Sequence, residues 1–121
     1  MSPRLITQPI RIPAPGNKLK RIDEYIGRVV SQTEEVSVAH MFSPGGWEEV
    51  GQTPQFTEYS VVLRGTLRAD FKNGHIEAHA GQAIIVPKGT WVKYSTPEAE
   101  GAEYIAVCTP AFSAESACRD K

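Results

Sequence analysis

Short runs of alternating hydrophobic and polar residues, cut by glycine, proline and asparagine, fill the chain from Glu35 onward. Val36, Val38, His40 and Phe42 fall on one side of the first run, with Ser37, Ala39 and Met41 on the other, and a period of two is a strand signature. Ser43-Pro44-Gly45-Gly46 ends that strand, and Trp47 to Gln55 reads as a polar loop. Thr66 to Lys72 and His75 to Ala80 flank Asn73-Gly74, which predicts a hairpin with a type I′ turn because both turn residues tolerate positive φ. Ala83 to Val86, Thr90 to Ser95 and Glu103 to Cys108 add three further strands, separated by Gly81-Gln82 and Pro87-Lys88-Gly89. Upstream, Pro3, Pro9, Pro13 and Pro15 among Leu5, Ile10 and Ile12 predict an extended arm. Leu19, Ile22, Tyr25, Ile26 and Val29 recur at intervals of three and four, which predicts a short amphipathic helix within 18–30 whose polar face, Lys20, Arg21, Asp23 and Glu24, is solvated. The expected architecture is therefore all-β, an antiparallel jelly-roll barrel with at most one or two short helices. One structural domain is expected, with arm and helix at 1–33, the barrel at 34–113 and a tail at 114–121.

Within this run of strands the turn residues keep a particular spacing. Gly65 follows Glu58 after six intervening residues, Pro87 follows Gly81 after five, and Gly89 stands two beyond. This skeleton resembles the two signature motifs of the cupin superfamily, which implies a double-stranded β-helix barrel. The resemblance covers roughly Val36 to Phe112. Thr57-Glu58 before Val62-Leu63-Arg64-Gly65, and the turn Val86-Pro87-Lys88-Gly89, are similar to the ethanolamine-utilization branch, and Cys108 to Ser113 resembles the end of small bacterial cupins of unassigned activity. The motif histidines are missing: aligned on Glu58, their positions hold Gln52, Pro54 and Val92. The resemblance thus implies a cavity in which carboxylate, amide and aromatic groups replace metal-binding imidazoles.

Composition narrows the function classes. A formal net charge of −1 with scattered Lys and Arg offers no footprint for nucleic acid or an anionic membrane, and neither is expected as a partner. The apolar runs are too short to span a bilayer and no signal-peptide core is seen, so a cytoplasmic location is expected. Cys108 and Cys118 show no paired framework and read as free thiols. An arm with alternating Leu5, Ile10 and Ile12 suits exchange with a neighbour, so a homodimer is expected.

Glu58 is the foremost candidate for chemistry, because the resemblance points it into the barrel and a carboxylate in an apolar barrel has its pKa raised toward neutrality. Strand period then puts Ser60 and Val62 on its side. His40 and Tyr94 are expected to orient substrate, with Gln55, Gln52, Trp47, Ser60, Val92 and Tyr104 as further ligand contacts. Glu48 and Glu49 read as solvated loop residues, His75 and His79 as solvent-facing, and Cys108 as unreactive. No cofactor is expected; a divalent transition metal, if bound, would use His40, Glu58 and Gln52, a weak donor set. Three readings stay open: an isomerase, lyase or cyclase acting by carboxylate acid–base chemistry on a small molecule, a non-catalytic ligand-binding or sensing cupin, and a metal-dependent cupin with non-standard ligands.

Overall fold

A computed structural model describes residues 2–121 and contains strands, turns and loops but no helix among them. The strands, in chain order, are β1 (Ile10–Ile12), β2 (Arg21–Ile26), β3 (Ser37–Ser43), β4 (Trp47–Glu48), β5 (Thr57–Phe71), β6 (Gly74–His79), β7 (Ala83–Val86), β8 (Lys93–Thr96) and β9 (Ala102–Thr109). Every pairing is antiparallel, in the order β1-β2-β3-β9-β5-β8-β4, with β6 and β7 also on β5. The 15-residue β5 joins two layers: its first half pairs with β9 and β7, and its second half with β6 and β8. A register shift between Val62 and Arg64 and a positive φ of 75° at Gly65 turn the strand from one layer to the other. A side chain at Gly65 would collide with the Gly101 carbonyl, so the corner requires glycine.

The layers close on a core that includes Val62, Leu67, Ala69, Ile84, Val92, Tyr94 and Tyr104 around a fully buried Trp47. Truncating such a residue, for example Leu67→Ala, costs on the order of 2–5 kcal/mol through lost burial and the cavity left behind. The jelly-roll barrel expected from the strand spacing is the fold observed.

Three local expectations are corrected. The segment expected to form a helix is instead β2, paired with β1 on one side and β3 on the other. Intervals of three alternate faces in a strand, and Tyr25 and Ile26 are accordingly exposed while Ile22 is buried; the two flanking strands supply the hydrogen bonds that override the helical pattern. Inward-pointing Ile22 and Glu24 obey the strand period, so Glu24 is buried rather than solvated. The hairpin forms at the expected place, but Phe71 pairs with Gly74, so the turn centres on Lys72-Asn73 and Asn73 keeps a negative φ. The arm is used within its own chain: β1 extends the sheet, and the chain then crosses the barrel so that the Trp47 indole donates to the Pro15 carbonyl at 3.0 Å. Among the described residues no helix is long and apolar enough to cross a membrane.

Candidate functional site

Inward faces of β2, β3, β5 and β9 enclose a small cavity. Strand alternation brings Ile22 and Glu24, Ser37, Ala39 and Met41, Glu58, and Tyr104, Ala106 and Cys108 to its wall. Tyr94 from β8, Glu49 and Gln52 from the loop after β4, and Lys20 just before β2 complete the polar lining. About 40 Å³ is left for the centres of water-sized spheres, room for on the order of three waters or a few heavy atoms of a ligand.

The segment after β9 forms the lid. Gln55 N–H donates to the Ser116 carbonyl at 2.9 Å, Asp120 N–H to the Gly51 carbonyl at 2.8 Å, and the Trp91 indole to Asp120 Oδ2 at 2.9 Å. These bonds set Arg119 beside Gln52, where it lines the cavity. Residues 111–121 therefore pack as part of the site, with Ala117 fully buried.

Each polar group has a distinct environment. Glu24 Oε2 accepts the backbone N–H groups of Val29 and Val30 at 3.1 and 3.0 Å, which gives this carboxylate a structural role at the turn after β2. Lys20 Nζ donates to the Tyr104 hydroxyl at 2.8 Å and sits 4.0 Å above the Trp47 ring, a cation–π contact that fixes the ammonium without an ion pair. Glu58 accepts a hydrogen bond from Ser60 Oγ at 3.3 Å and a weak one from Cys108 Sγ at 3.8 Å. Burial first, and the Glu49 charge second, push the Glu58 carboxyl from 4.5 up to about 7, against the opposing pull of Lys20, Ser60 and Cys108. Burial likewise raises Glu49, offset in part by the charges of Lys20 and Arg119. The Tyr94 phenol is driven well above its usual value by burial and then by the charge of Glu58, so it remains a proton donor. Burial and Glu58 also raise the Cys108 thiol, which keeps it protonated and unreactive.

Among the described residues, Glu49 and Tyr94 have no side-chain hydrogen-bond partner although both are buried, and Arg119 has a buried Nε with none. Glu49 and Tyr94 line the cavity with their polar groups unpaired, which marks a place for a polar guest.

The sequence candidates divide accordingly. Glu58, Tyr94, Gln52 and Tyr104 meet at the cavity. His40 does not: β3 turns it to the outer face, where Nε2 lies 2.7 Å from Glu103 Oε2 and the ring packs at a 40° tilt against Phe42, centroids 4.2 Å apart. Alternation does separate His40 from Ala39 and Met41, but the cavity lies on the side of Ala39 and Met41, opposite to the one expected. Gln55 is exposed and also absent from the cavity wall, because its backbone docks the lid. Trp47 and Val92 are core residues behind the wall, and Ser60 reaches the site only through Glu58. Glu49, expected to be solvated, is buried at the site, whereas Glu48 is exposed. Lys20, Glu49 and Arg119 were not among the sequence candidates. Alternation of Lys20, Ile22 and Glu24 was the available signal for the first; the other two sit on loops whose approach is set by long-range docking.

The donor set does not suit a metal. No group of three His, Cys, Asp or Glu side chains that could hold a metal ion occurs among the described residues. His40, the imidazole expected as a ligand, points away from Glu58.

Comparison with known structures agrees with this architecture. The EutQ protein of Clostridium difficile superposes with a TM-score of 0.62 at 22% identity, covering 77% of this chain and 64% of that one. A putative ethanolamine utilization protein Q from Salmonella typhimurium gives 0.64 at 19%, over 78% of this chain and 72% of that one. An oxalate decarboxylase variant from Bacillus subtilis gives 0.76 at 17%, over 94% of this chain and 31% of that one. The chain has the fold of the cupin superfamily, with a carboxylate-lined cavity where the motif histidines are replaced. No protein-family model matches it. A Myxococcus xanthus protein named endoribonuclease YbeY is 37% identical over 103 residues, 85% of this chain. The chain spans 35% of that protein's length.

Proposed function

We propose that this cupin is a small-molecule enzyme of the isomerase, lyase or cyclase kind, working by proton transfer within the barrel cavity. The observation that carries this reading is the pair Glu49 and Glu58, two carboxyls raised by burial in one cavity, of which Glu58 at about 7 is half protonated at neutral pH. A group poised near the working pH serves as both acid and base, and such groups contribute typically ~10²–10⁴-fold to rate. Tyr94 would donate to a developing oxyanion, and Lys20 would compensate charge on whichever carboxyl is ionised. His40 has no part in this scheme, and no metal is invoked.

The test is proton exchange in heavy water. A panel of small carbonyl and hydroxy compounds is incubated with the native chain and with Glu58→Gln, and loss of C–H signals is followed by proton NMR. The proposal expects exchange or turnover of at least one compound, reduced at least a hundredfold in Glu58→Gln. Thermal stabilisation by members of the panel with no exchange or turnover of any of them would overturn it in favour of a non-catalytic binding protein.

A further inference from the structure

The cavity has an antechamber. A second recess, with about 410 Å³ on the same measure, lies against it and shares Ile12, Pro15, Glu24, Phe112 and Arg119 with the inner wall. Its other walls come from the crossing arm at Pro13 and Ala14, from Arg28 and Val29 after β2, and from Ser113 and Ala114 after β9. The lining is chiefly apolar, whereas the inner cavity is far smaller and carries the carboxyls. A guest of only a few atoms would fill the inner space and leave the antechamber empty.

Arg119 stands at the junction. Its guanidinium makes no ion pair and no side-chain hydrogen bond among the described residues, and its Nε is buried without a partner. Arg28 donates its Nε to the Ala111 carbonyl at 3.2 Å from the outer wall, and Lys20 donates to Tyr104 at 2.8 Å from the inner one, so Arg119, 5.8 Å from the Phe112 ring, is the cation shared by both chambers and without a side-chain hydrogen bond. Glu24, the carboxylate that shares the junction, is engaged by two backbone N–H groups. Arg119 acts on Glu49 through its charge but forms no ion pair with it, which leaves its guanidinium geometrically free for one carboxylate, while the carboxyls of Glu24, Glu49 and Glu58 around the junction disfavour a dianion.

We infer that the substrate is a monocarboxylate with an apolar body: the carboxylate is held by Arg119 at the junction, the apolar body lies in the antechamber, and the reacting carbon projects inward. The inference deepens the proposed function, on which it rests for what happens to the bound molecule. Binding itself is independent of catalysis. Among proton-transfer substrates, the two chambers select those whose carboxylate separates a short reactive end from a longer hydrocarbon part.

Straight-chain probes test this by calorimetry on the full chain. Affinity should tighten from propanoate to hexanoate by roughly three- to fourfold per methylene as hydrocarbon enters the antechamber. Arg119→Leu should weaken hexanoate at least tenfold while leaving 1-hexanol unchanged, and Arg119→Lys should recover part of the loss. Thermal melts of Arg119→Leu and of Arg119→Gln check that the lid still docks; if the first loosens it, the second carries the comparison. Equal affinity for hexanoate and 1-hexanol, no dependence on chain length, or hexanoate binding indifferent to Arg119 would each overturn the inference. Glu58→Gln separates the two proposals: it should abolish turnover yet bind hexanoate at least as tightly as the native chain, since a negative charge near the site is removed. Chain-length-dependent hexanoate binding with no turnover of any carboxylate sinks the catalytic reading and leaves this one standing. Turnover of neutral carbonyl compounds that Arg119→Leu does not affect does the reverse.

Discussion

Replacing Glu58 by Gln should stabilise the protein, and the gain should grow with pH. The amide keeps the volume of the side chain and can still accept from Ser60, so the packing around Val62 and Cys108 is preserved. What changes is charge. Because burial raises the Glu58 carboxyl from 4.5 to about 7, the folded chain binds more protons than the unfolded chain between those values, and stability falls as pH rises through that window. Below pH 4.5 the carboxyl is neutral in both states and the two proteins should be equally stable. Above about pH 8 the penalty on the native chain is complete. At ~1.4 kcal/mol per unit the ceiling is about 3 kcal/mol, and the partial opening of Glu58 to the cavity lowers the expected value to about 1–2 kcal/mol. For a chain of this length that corresponds to a melting-temperature gain of roughly 3–10 °C at pH 8. Urea unfolding of both proteins at several pH values from 4.5 to 8.5 measures the difference directly. A variant destabilised at every pH would show a structural carboxylate whose loss leaves Ser60 and Cys108 without a partner. A constant offset between the proteins would show that burial does not shift the carboxyl.

Two further outcomes are expected. Dialysed protein should hold far less than one equivalent of Zn, Fe or Ni by elemental analysis, since Gln52, Pro54 and Val92 stand at the motif histidine positions and His40 faces Glu103; tightly held stoichiometric metal would contradict the site geometry. A second copy of the chain is the expected occupant of the outer face, where Tyr59, Val61, Leu63 and Ile85 lie exposed on adjoining strands and Arg64 and Glu103 offer opposite charges that a two-fold axis can exchange. Light scattering should show a dimer that Val61→Lys converts to a monomer, and a native monomer at micromolar concentration would contradict it.

The barrel was legible in the sequence because its causes are local. Alternation marks β3, turn residues bound β6, β7 and β9, and the spacing from Glu58 to Gly65 and from Gly81 to Pro87 identifies the fold. β2 was not legible for a physical reason: the intervals of three and four among Leu19, Ile22, Tyr25 and Ile26 are helical, and the pairing with β1 and β3 that overrides them is long-range. The candidate site was legible where it lies on strands of known facing, at Glu58, Tyr94 and Tyr104. It was illegible where loops close it. Glu49 looks like any polar loop residue until the barrel buries it, and Arg119 reaches the cavity only because Asp120 and Ser116 hydrogen-bond to Gly51 and Gln55 across more than half the chain. His40 failed for a subtler reason, since alternation separates two faces of a strand without saying which one is the inside.

The acid–base role of the cavity requires Glu58 to stand near the midpoint of its titration at neutral pH. Carbon-13 NMR of the Glu58 carboxyl, assigned by comparison with Glu58→Gln, measures this in the free protein across pH 4 to 9. A midpoint near 7 is expected, with a downward shift in Glu49→Gln as the second carboxylate charge is removed. A midpoint near 4.5 would contradict the acid–base role of the cavity.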